Sequence, residues 1–253
     1  MRNKISESDK IYITDKLFSY NNKLYFDKEE KIIKLNKSNW NQYLKEYGWS
    51  RIELGWRNRL NIYGSGIGYG ILDCGANGDC LFHCISEALN DPFDPVKCIY
   101  DIETIRKIAS EEININNFIT ILENYKLEQE TLEFNGSWNP EKIESIQELK
   151  DEICKIGDNF WGDHIILQLL QNALKFNVII LNSGDNLDDK FTVKPMASDI
   201  YQYPKTIILH YIEGLHFQLI GFFNNHKMNV LFDKNQIPHE ILRIHNIDCR
   251  ITN

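Results

Sequence analysis

Six cysteines and seven histidines are the residues of this chain best suited to nucleophilic chemistry. One cysteine stands apart by its surroundings. Cys80 follows Gly75, Asn77, Gly78 and Asp79, a cluster of turn-formers, and precedes Leu81, Phe82, Ile85, Ala88 and Leu89 at three- and four-residue spacing. That spacing predicts a helix, so the thiol sits where a glycine-permitted loop feeds a helix N-terminus. Unpaired N–H groups and the positive dipole end of such a terminus stabilise a thiolate and can hold a developing oxyanion. A free cysteine at a helix start is also commonly a small core hydrophobe. Taken alone, Cys80 fits both readings.

A cysteine nucleophile working at neutral pH needs a base within hydrogen-bond reach, and histidine is the usual one. His83 rides the Cys80 helix and is expected to pack or face solvent. His164 opens an apolar helix, where capping or packing suits it, and His226, His239 and His245 lie in a polar tail. His210 falls inside a strand-like run and reads as a sheet histidine. His216 opens a strand directly after Glu213-Gly214-Leu215, with Phe217, Leu219, Ile220 and Phe222 following. A histidine at a turn–strand junction is held by the sheet yet presented at its rim, as a base must be.

The elements that would position these groups follow from periodicity. Residues 11–35 alternate in short runs around Asn21-Asn22 and predict a hairpin. Trp40, Tyr43, Leu44 and Tyr47 predict one amphipathic helix over 39–56, its aromatic stripe packing on the neighbouring domain or docking a partner. Gly64, Gly66, Gly68 and Gly70 are not followed by the Lys-Ser/Thr of a phosphate loop and read as a flexible connection to the Cys80 loop. Asp91-Pro92 and Asp94-Pro95 then break the chain. Helical patterns follow at 101–113, 116–131 and 140–155. A strongly apolar helix enters after Trp161-Gly162. Residues 177–182 and 206–212 are nearly continuous Ile, Val and Leu, as central strands covered on both faces should be, and 216–223 makes a third strand. A short strand over 229–232 and a short helix over 237–245 complete the pattern. The expected fold is α+β (α/β layered), a central β-sheet flanked by helices. The expected organisation is an N-terminal extension over 1–66 (β-hairpin and amphipathic helix), a catalytic domain over 67–225, and a tail over 226–253 that packs back on it.

Composition bounds the function. With 43% hydrophobic and 25% charged residues the chain is an ordinary globular one. It holds no apolar run of about eighteen residues, and its first ten residues have no apolar signal-like core. The cysteines form no Cys-x-x-Cys pair, so a reducing compartment, cytoplasmic or nuclear, is expected. A net charge of −8 argues against nucleic acid and permits a basic partner.

The stretch around Cys80 resembles the active-site motif of the ovarian-tumour (OTU) cysteine proteases, usually Asp-Gly-Asn-Cys-Leu-Phe. Gly78, Cys80, Leu81 and Phe82 match it; Asn77 stands where the family usually has Asp, and Asp79 where it has Asn. Trp161-Gly162 before a buried helix, and His216-Phe217 at the start of a late strand, resemble the family as well. What the resemblance implies over roughly 67–223 is a papain-like peptidase acting on ubiquitin or ubiquitin-like conjugates, without metal or organic cofactor and without a nucleic-acid or membrane partner. Cys80 would be the nucleophile and His216 the base, with Trp161, Phe217 and Asp79 near the substrate. The family orients its histidine with an Asp three residues before the cysteine, or an Asp or Asn two residues after the histidine. Here those places hold Asn77 and Gln218, both amides; Asn77 is the expected orienting group, Gln218 its competitor, and Asp73 an outsider. The missing carboxylate keeps alive an inactive ubiquitin-binding module, and a scaffold with Cys80 in its core is a further alternative.

Overall fold

The computed structural model describes residues 5–29, 31–75, 78–91, 93, 99–131, 134–184, 190–194, 200–212, 214, 216–224 and 226–249. Strands β1 (Ile11–Tyr12), β2 (Leu17–Tyr20), β3 (Lys23–Lys28) and β4 (Lys31–Lys34) form a small antiparallel sheet in that order. Its centre is the expected hairpin. Asn21 and Asn22 both take positive φ (48° and 57°), the mirror-image turn that matches strand twist and that asparagine tolerates.

The aromatic stretch after it differs from the single helix expected. Helix α1 (Trp40–Leu44) runs into a short 3-10 turn and stops at Gly48, whose φ of +84° and N–H bond to the Lys45 carbonyl close the end. The chain then extends as β5 (Trp49–Arg51) before α2 (Leu54–Tyr63). Trp40 and Leu44 are fully buried in the same core as Cys80, so the stripe packs. The glycine-rich connection is likewise ordered: β6 (Tyr69–Leu72) pairs with β5 on one side and with β10 (His216–Phe223) on the other. A Cβ on Gly70 would lie 2.6 Å from the Trp40 ring, which is why this strand carries glycine there.

Helix α3 (Cys80–Asn90) follows, then α4 (Ile102–Glu111), α5 (Phe118–Glu130), α6 (Ile146–Ile153) and α7 (His164–Leu174). Pro92, Asp94 and Pro95 lie outside the described residues. Strands β7 (Phe176–Ser183), β8 (Lys190–Lys194) and β9 (Lys205–Ile212) precede β10, and β11 (Met228–Asn229), β12 (Leu231–Asp233) and α8 (His239–Asp248) end the chain. The main sheet runs β5-β6-β10-β9-β7-β8, with β11 added beside β10 and β12 beside β9. It is mixed, since β7 and β9 are parallel and the other pairs antiparallel.

Strand alternation divides the apolar residues between two faces. Val178, Ile180, Ile207, Leu209, Phe217 and Leu219 join the core that holds α3 to α7 and the small sheet. Ile179, Leu181, Ile208 and Ile220 meet Trp56 and Leu60 of α2 and Ile241 and Ile244 of α8. This is the helix-flanked central sheet expected. Residues 49–63 of the expected extension are built into it, because β5 is a strand of the main sheet and α2 covers its second face. No helix of the described residues is long and apolar enough to cross a membrane.

Candidate active site

Three elements converge at the rim of the sheet. Helix α3 starts at Cys80 and packs its apolar stripe on β10, which starts at His216. Cys80 is 5% exposed, and the Phe217 N–H points at its sulfur from 3.5 Å. Cys80 and His216 are neighbours lining the same cleft, close enough for the sulfur to act on the ring. Strand β6 pairs with β10 through Leu72 opposite Leu219, so the next residue, Asp73, emerges beside the start of β10. Its Oδ1 lies 2.7 Å from His216 Nε2. The neighbouring Cys80 is the largest cause of a raised His216 pKa; burial opposes it, Asp73 adds to it, and the result is about 9 against an ordinary 6.5. At neutral pH the ring is a cation between a sulfur and a carboxylate. The neighbouring thiol of Cys84 is unlike this one. It is fully buried and its pKa is pushed up by burial and by the neighbouring Cys74, as in inert core cysteines.

The other expected site residues fall as follows. Gln218 is buried directly opposite His210, and its Oε1 lies 2.9 Å from His210 Nδ1. The far nitrogen of His210 lies 2.8 Å from Ser183 Oγ, which donates to Glu53. Burial lowers the His210 pKa, so this is a sheet histidine, and Gln218 braces it rather than His216. Asn77 lies outside the described residues. Asp73, counted an outsider from sequence, holds the orienting position on His216. His164 is exposed at the first position of α7, and Asp163 makes the cap there, accepting from Ile166 N–H.

Asp79, expected near a substrate, is buried with its carboxylate turned inward. Oδ1 accepts from Arg106 and Oδ2 accepts from the Gly157 N–H at 2.8 Å. None of the first-turn N–H groups of α3 is capped by that side chain, which leaves the helix N-terminus facing the sulfur. Arg106 is 0% exposed and is the hub beneath the loop. Its guanidinium donates to the carbonyls of Ile153 (2.8 Å) and Phe160 (2.9 Å) and lies 3.9 Å from the Phe82 ring centroid. It thus ties the Cys80 loop to the end of α6 and to the 157–162 loop that carries Trp161. A signal existed in the sequence: Arg106 stands four residues after Ile102 and three before Ala109, a charge within an apolar stripe.

Gly78 takes a φ of +81°, and a Cβ there would sit 2.5 Å from the Gly157 carbonyl and 2.9 Å from the Trp161 ring. That close approach forms one wall of a cleft of about 610 Å³, lined by Gly78, Cys80, Trp161, Tyr211, His216 and Phe217. Tyr211 and Phe217 stack at 4.6 Å between centroids. A thiol, an imidazole and a carboxylate together at the mouth of an aromatic cleft are the groups that nucleophilic acyl transfer of the cysteine type requires.

The family follows from comparison with known proteins. A family model described as OTU-like cysteine protease matches residues 75–217. That is more than half of the chain, so the chain belongs to the OTU-like cysteine protease family. No curated protein matches it. Among solved structures, an OTU domain in complex with ubiquitin is 17% identical, with 72% of this chain and 86% of that one covered and a TM-score of 0.45. An OTU deubiquitinase from Wolbachia pipientis wMel is 16% identical over 70% of this chain and 95% of its own, with a TM-score of 0.39. The Hazara virus OTU bound to ubiquitin is 13% identical over 61% and 82%, with a TM-score of 0.38.

Proposed function

We propose that this protein is a deubiquitinating cysteine protease that hydrolyses the (iso)peptide bond after the C-terminal glycine of ubiquitin or a ubiquitin-like modifier. The observation that carries the reading is the continuous chain Cys80, His216, Asp73. The Cys80 sulfur attacks the glycine carbonyl, and the oxyanion that forms is met by backbone N–H groups of residues 78–80 at the N-terminal end of α3. His216 gives its proton to the departing amine as the C–N bond breaks, leaving a thioester on Cys80. Water then attacks the thioester, His216 takes its proton, and the carboxylate product leaves with the thiol restored. Asp73 holds the ring and stabilises its charge throughout. Trp161 and Phe217 would flank the narrow di-glycine end of the modifier, and the acidic chain (net −8) suits its basic tail. The missing carboxylate was what kept an inactive binding module alive, and Asp73 beside His216 speaks for the enzyme instead. The reaction belongs in a reducing compartment, where Cys80 stays free.

A ubiquitin derivative with a C-terminal electrophile tests this. The parent chain is expected to form a covalent adduct that Cys80→Ala abolishes. Binding without an adduct would indicate the inactive module, and neither binding nor adduct a scaffold.

A further inference from the structure

The second face of the sheet carries a polar chain among its apolar residues. His210 and Gln218 are buried directly opposite each other on β9 and β10, and alternation puts them on the face of Ile208 and Ile220. Ser183, at the end of β7, shares that face with Ile179 and Leu181. The contacts run without a break. Glu53 Oε2 accepts from Ser183 Oγ at 2.8 Å, His210 Nε2 lies 2.8 Å from that hydroxyl, and His210 Nδ1 lies 2.9 Å from Gln218 Oε1. Glu53 directly precedes α2, yet its side chain caps none of that helix's N–H groups and turns to the sheet instead. The chain thus crosses three strands and is anchored at one end where α2 begins.

At its other end it meets the site. Gln218 follows Phe217, whose N–H points at the Cys80 sulfur, and stands two residues after His216. His216 is the first residue of β10, and a strand end is held less firmly than its middle. Apolar side chains at 183, 210 and 218 would bury as well, but dispersion contacts fix no direction. A run of hydrogen bonds fixes both distance and angle. We infer that Glu53, Ser183, His210 and Gln218 are positioning residues that hold the start of β10 in place, so that the His216 ring meets Cys80. The inference rests on the hydrolase reading above and gives a role in it to four residues that do not line the cleft.

Steady-state hydrolysis of ubiquitin carrying a C-terminal fluorogenic amide, by the full-length protein, tests it. Ser183→Ala cuts the chain in its middle and Gln218→Met at its end. Each is expected to lower kcat by about 3- to 10-fold, the scale of one hydrogen bond, with KM and the alkaline limb of the pH profile unchanged. Ser183→Thr, which keeps the hydroxyl, is expected to restore the rate. The double variant should lose no more than the worse single one, as members of one chain do. Ile208→Val, a small cavity on the same face, controls for general softening and should keep its kcat. Unchanged kcat in Ser183→Ala and Gln218→Met, losses that multiply in the double variant, or an equal loss in Ile208→Val would overturn the inference while leaving the hydrolase reading intact. Failure of the parent to cleave the substrate would overturn both together.

Discussion

At the scale of single residues, the proposed chemistry depends on the His216 ring between Cys80 and Asp73. His216 has a pKa of about 9 because the sulfur and Asp73 favour its charged form more than burial disfavours it. A group whose folded pKa lies above its ordinary 6.5 adds stability that is complete below that value and is lost as pH rises through 9. The melting temperature of the parent is therefore expected to fall between those limits relative to His216→Gln; parallel curves would contradict it. Asp73→Asn removes a carboxylate that raises this pKa, so the alkaline limb of the pH–rate profile should move down, and kcat/KM should fall by about 100-fold. Gln218→Ala should leave that limb in place, since its partner is His210. That Cys80 and His216 would lie together was legible in the sequence, because a loop–helix junction and a turn–strand junction have local signatures. The approach of Asp73 to His216 was not, because it is set by a strand register between residues 72 and 219.

At the scale of elements, loop rigidity traces to one buried cation. Arg106 connects Asp79, Phe160 and the end of α6, and so fixes the Cys80 loop against Trp161. Removing it leaves Asp79 buried without its counter-charge, a loss of about 3–5 kcal/mol. Arg106→Met is expected to lower stability to denaturant by that amount, whereas an exposed lysine such as Lys107 should tolerate substitution within about 0.5 kcal/mol. Equal effects of the two would remove Arg106 from its place as hub. The long strands were legible as apolar runs because both of their faces are covered. Strands β5 and β6 were missed for the opposite reason: both are short, β6 carries Gly70, and β6 is defined by pairing with β10, far along the chain.

At the scale of the whole molecule, residues 40–63 are part of the body that holds the site. Trp40 and Trp49 are buried with the Cys80 core, and Trp56 and Leu60 close the opposite face. Losing large aromatics from a core costs about 3–5 kcal/mol each, against a total stability of about 5–15 kcal/mol. A chain beginning at residue 67 is therefore expected not to unfold cooperatively, as monitored by circular dichroism in denaturant; a cooperative transition like the parent's would show that the extension is dispensable. The central claim is that the sulfur of Cys80 carries the ubiquitin acyl group in mid-reaction. Acid-quenching a single turnover of full-length protein on an isopeptide-linked ubiquitin conjugate, followed by intact mass and peptide mapping, tests it directly. The account predicts a hydroxylamine-sensitive thioester on Cys80 and none in Cys80→Ala; a thioester on another cysteine, or cleavage that persists in Cys80→Ala, would contradict it.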